Sequence, residues 1–195
     1  MKKGMLVVFE GIDGSGKSSC MASVASALGK NADVIVTSEP TKGKIGMLIR
    51  SLHDVTPETE ALLFVADRAE HTRDMKKWID EGNIVLCDRY YASTLAYQSA
   101  DLNGRSADIG WLKRINDDVI IEPDMTILFD IDPAIGLERV ESRGSKSKFE
   151  RLGYLKDVRA NYLKIAEERN FIIIDASRTA DEVFNDVMHH ISKTM

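Results

Sequence analysis

Cysteine is scarce: 195 residues contain two, at positions 20 and 87. They form no CxxC pair and have no clustered histidines, so neither a disulfide framework nor a zinc site of recognisable spacing is available. A reducing cytoplasm is the expected compartment. A surplus of positive charge is also missing, with 26 Lys plus Arg against 31 Asp plus Glu and a net charge of −5. That balance speaks against nucleic acid as a stable partner, because the phosphate backbone rewards cationic surface. Lys2 and Lys3 precede only the short apolar run Met5 to Phe9 before Glu10 interrupts it, which is too short for a signal peptide. No stretch approaches the roughly 20 apolar residues that span a bilayer, so no membrane role is expected. There is no internal repeat and no low-complexity tract. What remains, at 44% hydrophobic residues, is the composition of one globular domain over 1–195.

Five short β-branched runs recur, at Met5 to Phe9, Val34 to Thr37, Ile84 to Cys87, Met125 to Ile131 and Phe171 to Ile174. Segments of helical periodicity lie between them: Met21, Val24, Ala25 and Leu28 line one face of a helix that Gly29 is placed to end, and similar patterns run through Glu58 to Asp80, Trp111 to Ile121, Ile135 to Glu141, Tyr154 to Glu168 and Ala180 to Ile191. The alternation predicts an α/β fold, a five-stranded parallel sheet with helices on both faces. Ligands of such sheets bind at the strands' carboxyl edge.

The strongest motif is Gly11-Ile12-Asp13-Gly14-Ser15-Gly16-Lys17-Ser18, which satisfies G-x-x-x-x-G-K-[ST] between the first strand and the first helix. Glycines let backbone N–H groups turn inward around phosphate oxygens. The helix amino terminus adds partial positive charge and Lys17 a full one. Ser18 can ligate Mg2+ through its hydroxyl. Gly11, Asp13, Gly14, Ser15, Gly16, Lys17, Ser18 and Ser19 are therefore the candidate contacts to a nucleoside triphosphate. Asp13 is unusual there, since a carboxylate beside polyphosphate is unfavourable unless something else holds it. The guanine-reading Asn-Lys-x-Asp tetrapeptide is absent, and the third strand leads into Asp88-Arg89 instead of paired carboxylates suited to activating water. A small-molecule phosphotransferase is favoured over a GTPase or motor. Arg89 at a strand's carboxyl end can neutralise two approaching phosphates, although a strand-end salt bridge accounts for the same pair.

The P-loop with Phe9 and Glu10 before it, Glu39-Pro40, Leu63-Phe64-Val65-Ala66-Asp67-Arg68 with His71, Asp88-Arg89-Tyr90 with Ser93-Thr94 and Ala96-Tyr97-Gln98, and the region Pro123 to Pro133 together resemble the thymidylate kinase family over nearly the whole chain. The resemblance implies transfer of the γ-phosphoryl of ATP to dTMP, giving dTDP and ADP on the way to dTTP, with Mg2+ and a two-fold homodimer. It implies that Phe64 stacks on thymine and Arg68 reads its O4 side, which a spacing of four on one helix face allows. Taken alone, these two read as a core ring and a surface partner of Asp67 or Glu60. The resemblance also implies that Arg89 touches the phosphates, Asp88 lies near Mg2+ or its waters, and Tyr97 and Gln98 contact base and sugar. By residue type, Ser93 and Thr94 are expected to cap the helix that presents them. It places Asp13 on the acceptor's 3′-hydroxyl and Glu39 near the metal or ordered water. Arg50 and Arg73 are equally well phosphate contacts or helix-surface charge.

Some members of that family carry a catalytic Arg inside the P-loop, where this chain has Gly14 and Ser15. A basic lid at about 139–151 is expected to supply the cation, from Arg143 or Arg151 ahead of Lys146 or Lys148. The expected catalytic set is thus Lys17, Asp88, Arg89, Arg143 and Arg151, and Ser18 with Asp88 forms the expected metal site. Two departures stand out. Ser38 occupies a place where many relatives have Arg, and the loop after Pro40 reads Thr-Lys-Gly-Lys-Ile-Gly, which makes Lys42 or Lys44 candidates for the acceptor phosphate. Asp175-Ala176-Ser177 resembles the turn beside adenine. A kinase for another deoxynucleotide or deoxynucleoside, or a non-catalytic ATP-binding regulator, is the alternative reading.

Overall fold

Strand β1 (Met5–Glu10) is buried at all six positions, which requires cover on both faces and neighbours on both edges. The structure, a computed structural model, describes residues 4–140 and 148–195, and from 148 to 151 the backbone only. The other strands are β2 (Val34–Ser38), β3 (Ile84–Asp88), β4 (Met125–Asp130) and β5 (Ile172–Asp175), each within a residue or two of its apolar run. All pair in parallel, in the order β2-β3-β1-β4-β5. The described helices are α1 (Lys17–Leu28), α2 (Lys44–Ser51), α3 (Pro57–Asp80), α4 (Tyr91–Gln98), α5 (Ile109–Asp117), α6 (Pro133–Val140), α7 (Lys148–Arg169) and α8 (Ala180–Thr194). α1 and α8 pack together on the sheet, while α3, α4, α5 and α7 form a second packed group. In the core, Phe9 of β1 stacks on Phe129 of β4 at 5.8 Å between centroids.

Local chemistry sets the helix starts. Thr56 caps α3 by accepting from Thr59 N at 3.2 Å, with Pro57 in the first turn, and Asp108 caps α5 by accepting from Trp111 N at 2.7 Å. Gly29 does end α1, in right-handed geometry. Contrary to the expectation from their residue types, Ser93 and Thr94 are not caps: both lie inside α4, whose N-cap is Tyr90 without a side-chain cap bond, and both hydroxyls bond elsewhere. With β3 and β4 on opposite sides of β1, the connections leaving β1 and β3 diverge. A crevice opens beyond their carboxyl ends.

Candidate active site

Register brings the chemistry together. Phe9 pairs with Asp88 and Ser38 with Asp88, so Glu10, Glu39 and Arg89 emerge side by side at the carboxyl edge. The P-loop follows β1. Gly14 and Gly16 have φ of 82° and 83°, a left-handed conformation that glycine adopts without strain. Gly16 is the N-cap of α1, which begins at Lys17. The Lys17 side chain is 8% exposed, with Nζ 3.8 Å from Asp88 Oδ1 and 4.0 Å from Asp13 Oδ1. Burial lowers its pKa and the Arg89 charge adds to that, while Asp88 and Asp13 oppose it. Ser18 Oγ donates to Asp88 Oδ2 at 2.5 Å, and Asp88 Oδ1 is buried without a hydrogen-bond partner among the described residues.

Arg89 sits at φ 68°, rare for a side chain of its size, and is held there by its N–H donating to Phe9 O at 2.9 Å. Its guanidinium lies 5.1 Å from the centroid of the Tyr97 ring, and Nη2 donates to Asp13 Oδ1 at 2.6 Å. Asp13 is therefore held between two cations, which resolves its presence in a phosphate-binding loop.

A cavity of about 380 Å³ opens beside this pair, lined among others by Asp13, Phe64, Arg68, Arg89, Tyr97 and Gln98. Phe64 is half-buried on its wall. Arg68 is not a surface residue: at 1% exposure it is among the largest fully buried side chains. Nε donates to Glu39 Oε2 at 2.8 Å, and Nη2 is ion-paired with the same oxygen at 2.7 Å; Nη2 donates to Thr94 Oγ1 at 3.1 Å and Nη1 to Asn116 Oδ1 at 2.5 Å. Nη1 carries two hydrogens and makes one of these bonds, so it keeps one N–H without a hydrogen-bond partner among the described residues. Glu39 Oε1 lies 3.0 Å from His71 Nδ1, whose Nε2 is 2.7 Å from Thr37 Oγ1. Glu39 thus lines the cavity while its oxygens bind Arg68 and His71. Gln98 Nε2 donates to Glu60 Oε2 at 2.9 Å, and its Oε1 is buried with no partner among the described residues.

Other expected residues sit apart from this centre. Ser19 is exposed on α1, and Ser15 Oγ is buried without a hydrogen bond among the described residues. Arg50 donates to the Thr41, Gly46 and Pro40 carbonyls, bracing the loop after Pro40. Arg73 pairs with Glu70 and Asp74 on an exposed helix face. Lys42 and Lys44 line a neighbouring cleft of about 840 Å³ that reaches Asp88, not the Phe64 cavity. Arg143 and Lys146 lie outside the described residues, as do the side chains of Lys148 and Arg151. Sequence reasoning passes over Glu10, Asn116, Tyr154 and Tyr162, which meet these side chains from distant elements. A carboxylate ending a wholly apolar strand is the signal that marks Glu10.

A glycine-rich loop between central strand and helix, a buried lysine at its end, and an arginine bridging that loop to a cavity of aromatic and amide groups define a P-loop phosphotransferase acting on a small acceptor. The family is fixed by comparison: a thymidylate kinase family model matches residues 9–187, and the chain belongs to that family. It is 40% identical to the probable thymidylate kinase of Methanococcoides burtonii over 97% of each chain. The corresponding protein of Pyrobaculum calidifontis is 41% identical over 98% of this chain and 97% of its own. That of Archaeoglobus fulgidus is 40% identical over 94% of this chain and 92% of its own.

Proposed function

We propose that the chain performs its family's reaction, passing the γ-phosphoryl of ATP to dTMP, with the residues above in defined roles. The observation that carries these roles is Arg89, whose guanidinium touches both the P-loop, through Asp13, and the wall of the acceptor cavity, through Tyr97. Lys17 and the amino end of α1 hold the β- and γ-phosphates, and Arg89 offsets repulsion as the acceptor phosphate approaches. An acceptor phosphate oxygen is already ionised near neutral pH, so positioning and charge neutralisation suffice without a general base. In the cavity, Phe64 stacks on the base, the remaining Nη1 hydrogen of Arg68 donates to the carbonyl at C4, and Gln98 Oε1 accepts the N3–H. Thymine and uracil present that pattern, whereas cytosine reverses it.

Mg2+ fits Ser18 and Asp88. The buried Oδ1 of Asp88, which has no hydrogen-bond partner among the described residues and already faces the Lys17 ammonium, suits a cation, and no group of three or more acidic, His or Cys side chains forms a cage among the described residues, so phosphates and water would complete the shell. Such an ion supplies charge neutralisation on the transferring phosphate. The whole chain acts as one domain, with 139–151 as a lid bringing Arg143 or Arg151 to the phosphates. Exposed Met47 and Leu48 on α2 and Leu62 on α3 support a homodimer through those helices. No described helix is long and apolar enough to cross a membrane, and the two cysteines are free thiols, which supports a cytoplasmic site. ADP release with dTMP, dUMP, dCMP and thymidine as acceptors tests the reading. Turnover is expected with dTMP, weaker with dUMP and negligible with dCMP; preference for thymidine, or no turnover with any acceptor, overturns it.

A further inference from the structure

The two ends of the Arg89 guanidinium meet different surroundings. Nη2 faces the cavity, against Asp13 and the Tyr97 hydroxyl. Nη1 faces inward and donates to Ser93 Oγ at 3.2 Å and Tyr162 Oη at 3.3 Å. Both hydroxyls donate in turn to Glu10 Oε2, at 2.6 Å from Ser93 and 2.9 Å from Tyr162. Glu10 Oε1 accepts from the backbone N–H of Tyr90 at 2.8 Å and of Ser93 at 3.1 Å. Glu10 is fully buried, and two of its four partners are N–H groups that cannot accept, an arrangement that satisfies a carboxylate. Burial raises its pKa, while Ser93, the Arg89 charge, Tyr90 and Tyr162 pull the other way.

We propose that Glu10 and Tyr162 are positioning residues for Arg89. The buried carboxylate orients the Ser93 and Tyr162 hydroxyls, these fix Nη1, and the Nη2 edge is thereby aimed at the acceptor phosphate. Hydrogen bonds arranged in series polarise one another, so each hydroxyl that donates to the carboxylate is a stronger acceptor for the guanidinium. Arginine otherwise carries much rotamer freedom, which the anchor removes before substrate arrives. The three contributing elements are far apart in sequence: Glu10 ends β1, Ser93 lies in α4, and Tyr162 comes from α7.

The inference rests on the role given to Arg89 above, and its test separates the two. Equilibrium binding of dTMP and of thymidine is measured by calorimetry for the unaltered protein and for Tyr162→Phe, which removes one oxygen from a buried ring. Binding of dTMP is expected to weaken about 3- to 30-fold, as loss of a bond in a chain ending on a charged group predicts, with thymidine binding unchanged. kcat is expected to fall as well, while KM for ATP holds. If dTMP and thymidine weaken by the same factor, Tyr162 is mere scaffold and the proposal fails; if neither changes, it fails too. Glu10→Gln and Ser93→Ala act on the same chain and are each expected to weaken dTMP binding with thymidine binding unchanged; should Glu10→Gln not fold, Ser93→Ala gives the reading. Arg89→Ala is the control: retention of a normal dTMP preference over thymidine would overturn the role of Arg89 itself. Loss of that preference in Arg89→Ala but not in Tyr162→Phe overturns the positioning proposal alone.

Discussion

Alanine at Gly14 and alanine at Gly16 impose the same backbone conflict in different surroundings, and so isolate how tightly the P-loop is packed. Both residues are left-handed, at φ 82° and 83°. An L side chain there costs about 1–2 kcal/mol. At Gly16 an added Cβ meets nothing within 4 Å, so the dihedral cost stands alone. At Gly14 the same atom would lie 2.1 Å from the carbonyl oxygen of Gly136 and 2.7 Å from its carbon. Gly136 belongs to α6 and reciprocates, since its own Cβ would lie 2.8 Å from the Asp13 oxygen. Backbone presses on backbone, so no rotamer change relieves the clash, and α6 must retreat by roughly 1 Å. Overpacking of that kind costs about 1–3 kcal/mol beyond the dihedral cost. In a chain of this length 1 kcal/mol moves Tm by about 2–4 °C. Gly14→Ala is therefore expected to melt at least about 2 °C, and up to about 12 °C, below Gly16→Ala in calorimetry without nucleotide. Equal melting temperatures, or the reverse order, would refute the packing argument. The same contact explains why this P-loop carries no arginine at position 14: a long side chain cannot leave that Cα without displacing α6, so any additional cation must come from outside the loop.

Glu39→Gln is expected to destabilise the fold by about 3 kcal/mol in urea unfolding and to raise KM for dTMP but not for ATP, because it leaves the buried Arg68 charge without its partner. Lys17 supplies a pH prediction: its folded pKa is below 10.5, so its ammonium weakens the fold and the nucleotide-free protein gains stability as pH rises through the window under that value. Bound polyphosphate favours the ammonium, so calorimetry of ATP binding at a series of pH values below 10.5, in buffers of different ionisation enthalpy, should reveal proton uptake that Lys17→Met abolishes; absence of uptake across that range in the unaltered protein would sink the idea. Thr179→Ala removes the capping box of α8 with Glu182 and is expected to lower Tm by about 2–4 °C with unchanged kinetics. Thr179 lowers the Glu182 pKa, so that difference should shrink as pH falls below 4.5. Arg143→Ala and Arg151→Ala test the lid: a loss in kcat of roughly 10³-fold in one of them fits a catalytic arginine, and near-normal kcat in both removes it.

All five strands are legible because each is written as a short apolar run, continuous in the buried strands β1, β3 and β4 and kept in the edge strands β2 and β5, which expose Val36 and Ile173; the P-loop is legible because its spacing follows from phosphate geometry. Helix α4 is not legible: Tyr91, Ala92, Thr94, Leu95, Ala96 and Gln98 are all buried, so its eight residues show no apolar stripe. Ser93 and Thr94 look like caps by composition. Their use is set instead by Glu10 and Arg68, which lie on other elements. The same holds for Asn116, 48 residues from the Arg68 it accepts from, and for Tyr162, 152 residues from Glu10. Long-range pairs of this kind leave no periodic trace. The motif that carries Phe64 and Arg68 shows that they share a helix face, but only the fold shows that Arg68 is buried and that its Nη1 keeps an N–H without a hydrogen-bond partner among the described residues.

The acidic balance of the chain and its anionic substrates are reconciled by where the carboxylates stand. Each cation of the site is matched by carboxylates from elements other than its own: Arg68 by Glu39, Lys17 by Asp88 as well as by Asp13 of its own loop, and Arg89 by Asp13 with Glu10 behind it. These matches are not equivalent. The side chain of Glu39 is 2% exposed and that of Asp13 67%. A buried carboxylate cannot leave its partner without stranding a charge, so Arg68 keeps its orientation whether or not a base is present. An exposed one contributes at most about 1 kcal/mol to its pair and gives way readily to a phosphate, which carries more charge and more acceptor oxygens. On the roles proposed above, an arriving phosphate is expected to compete with Asp13 for the Nη2 edge of Arg89.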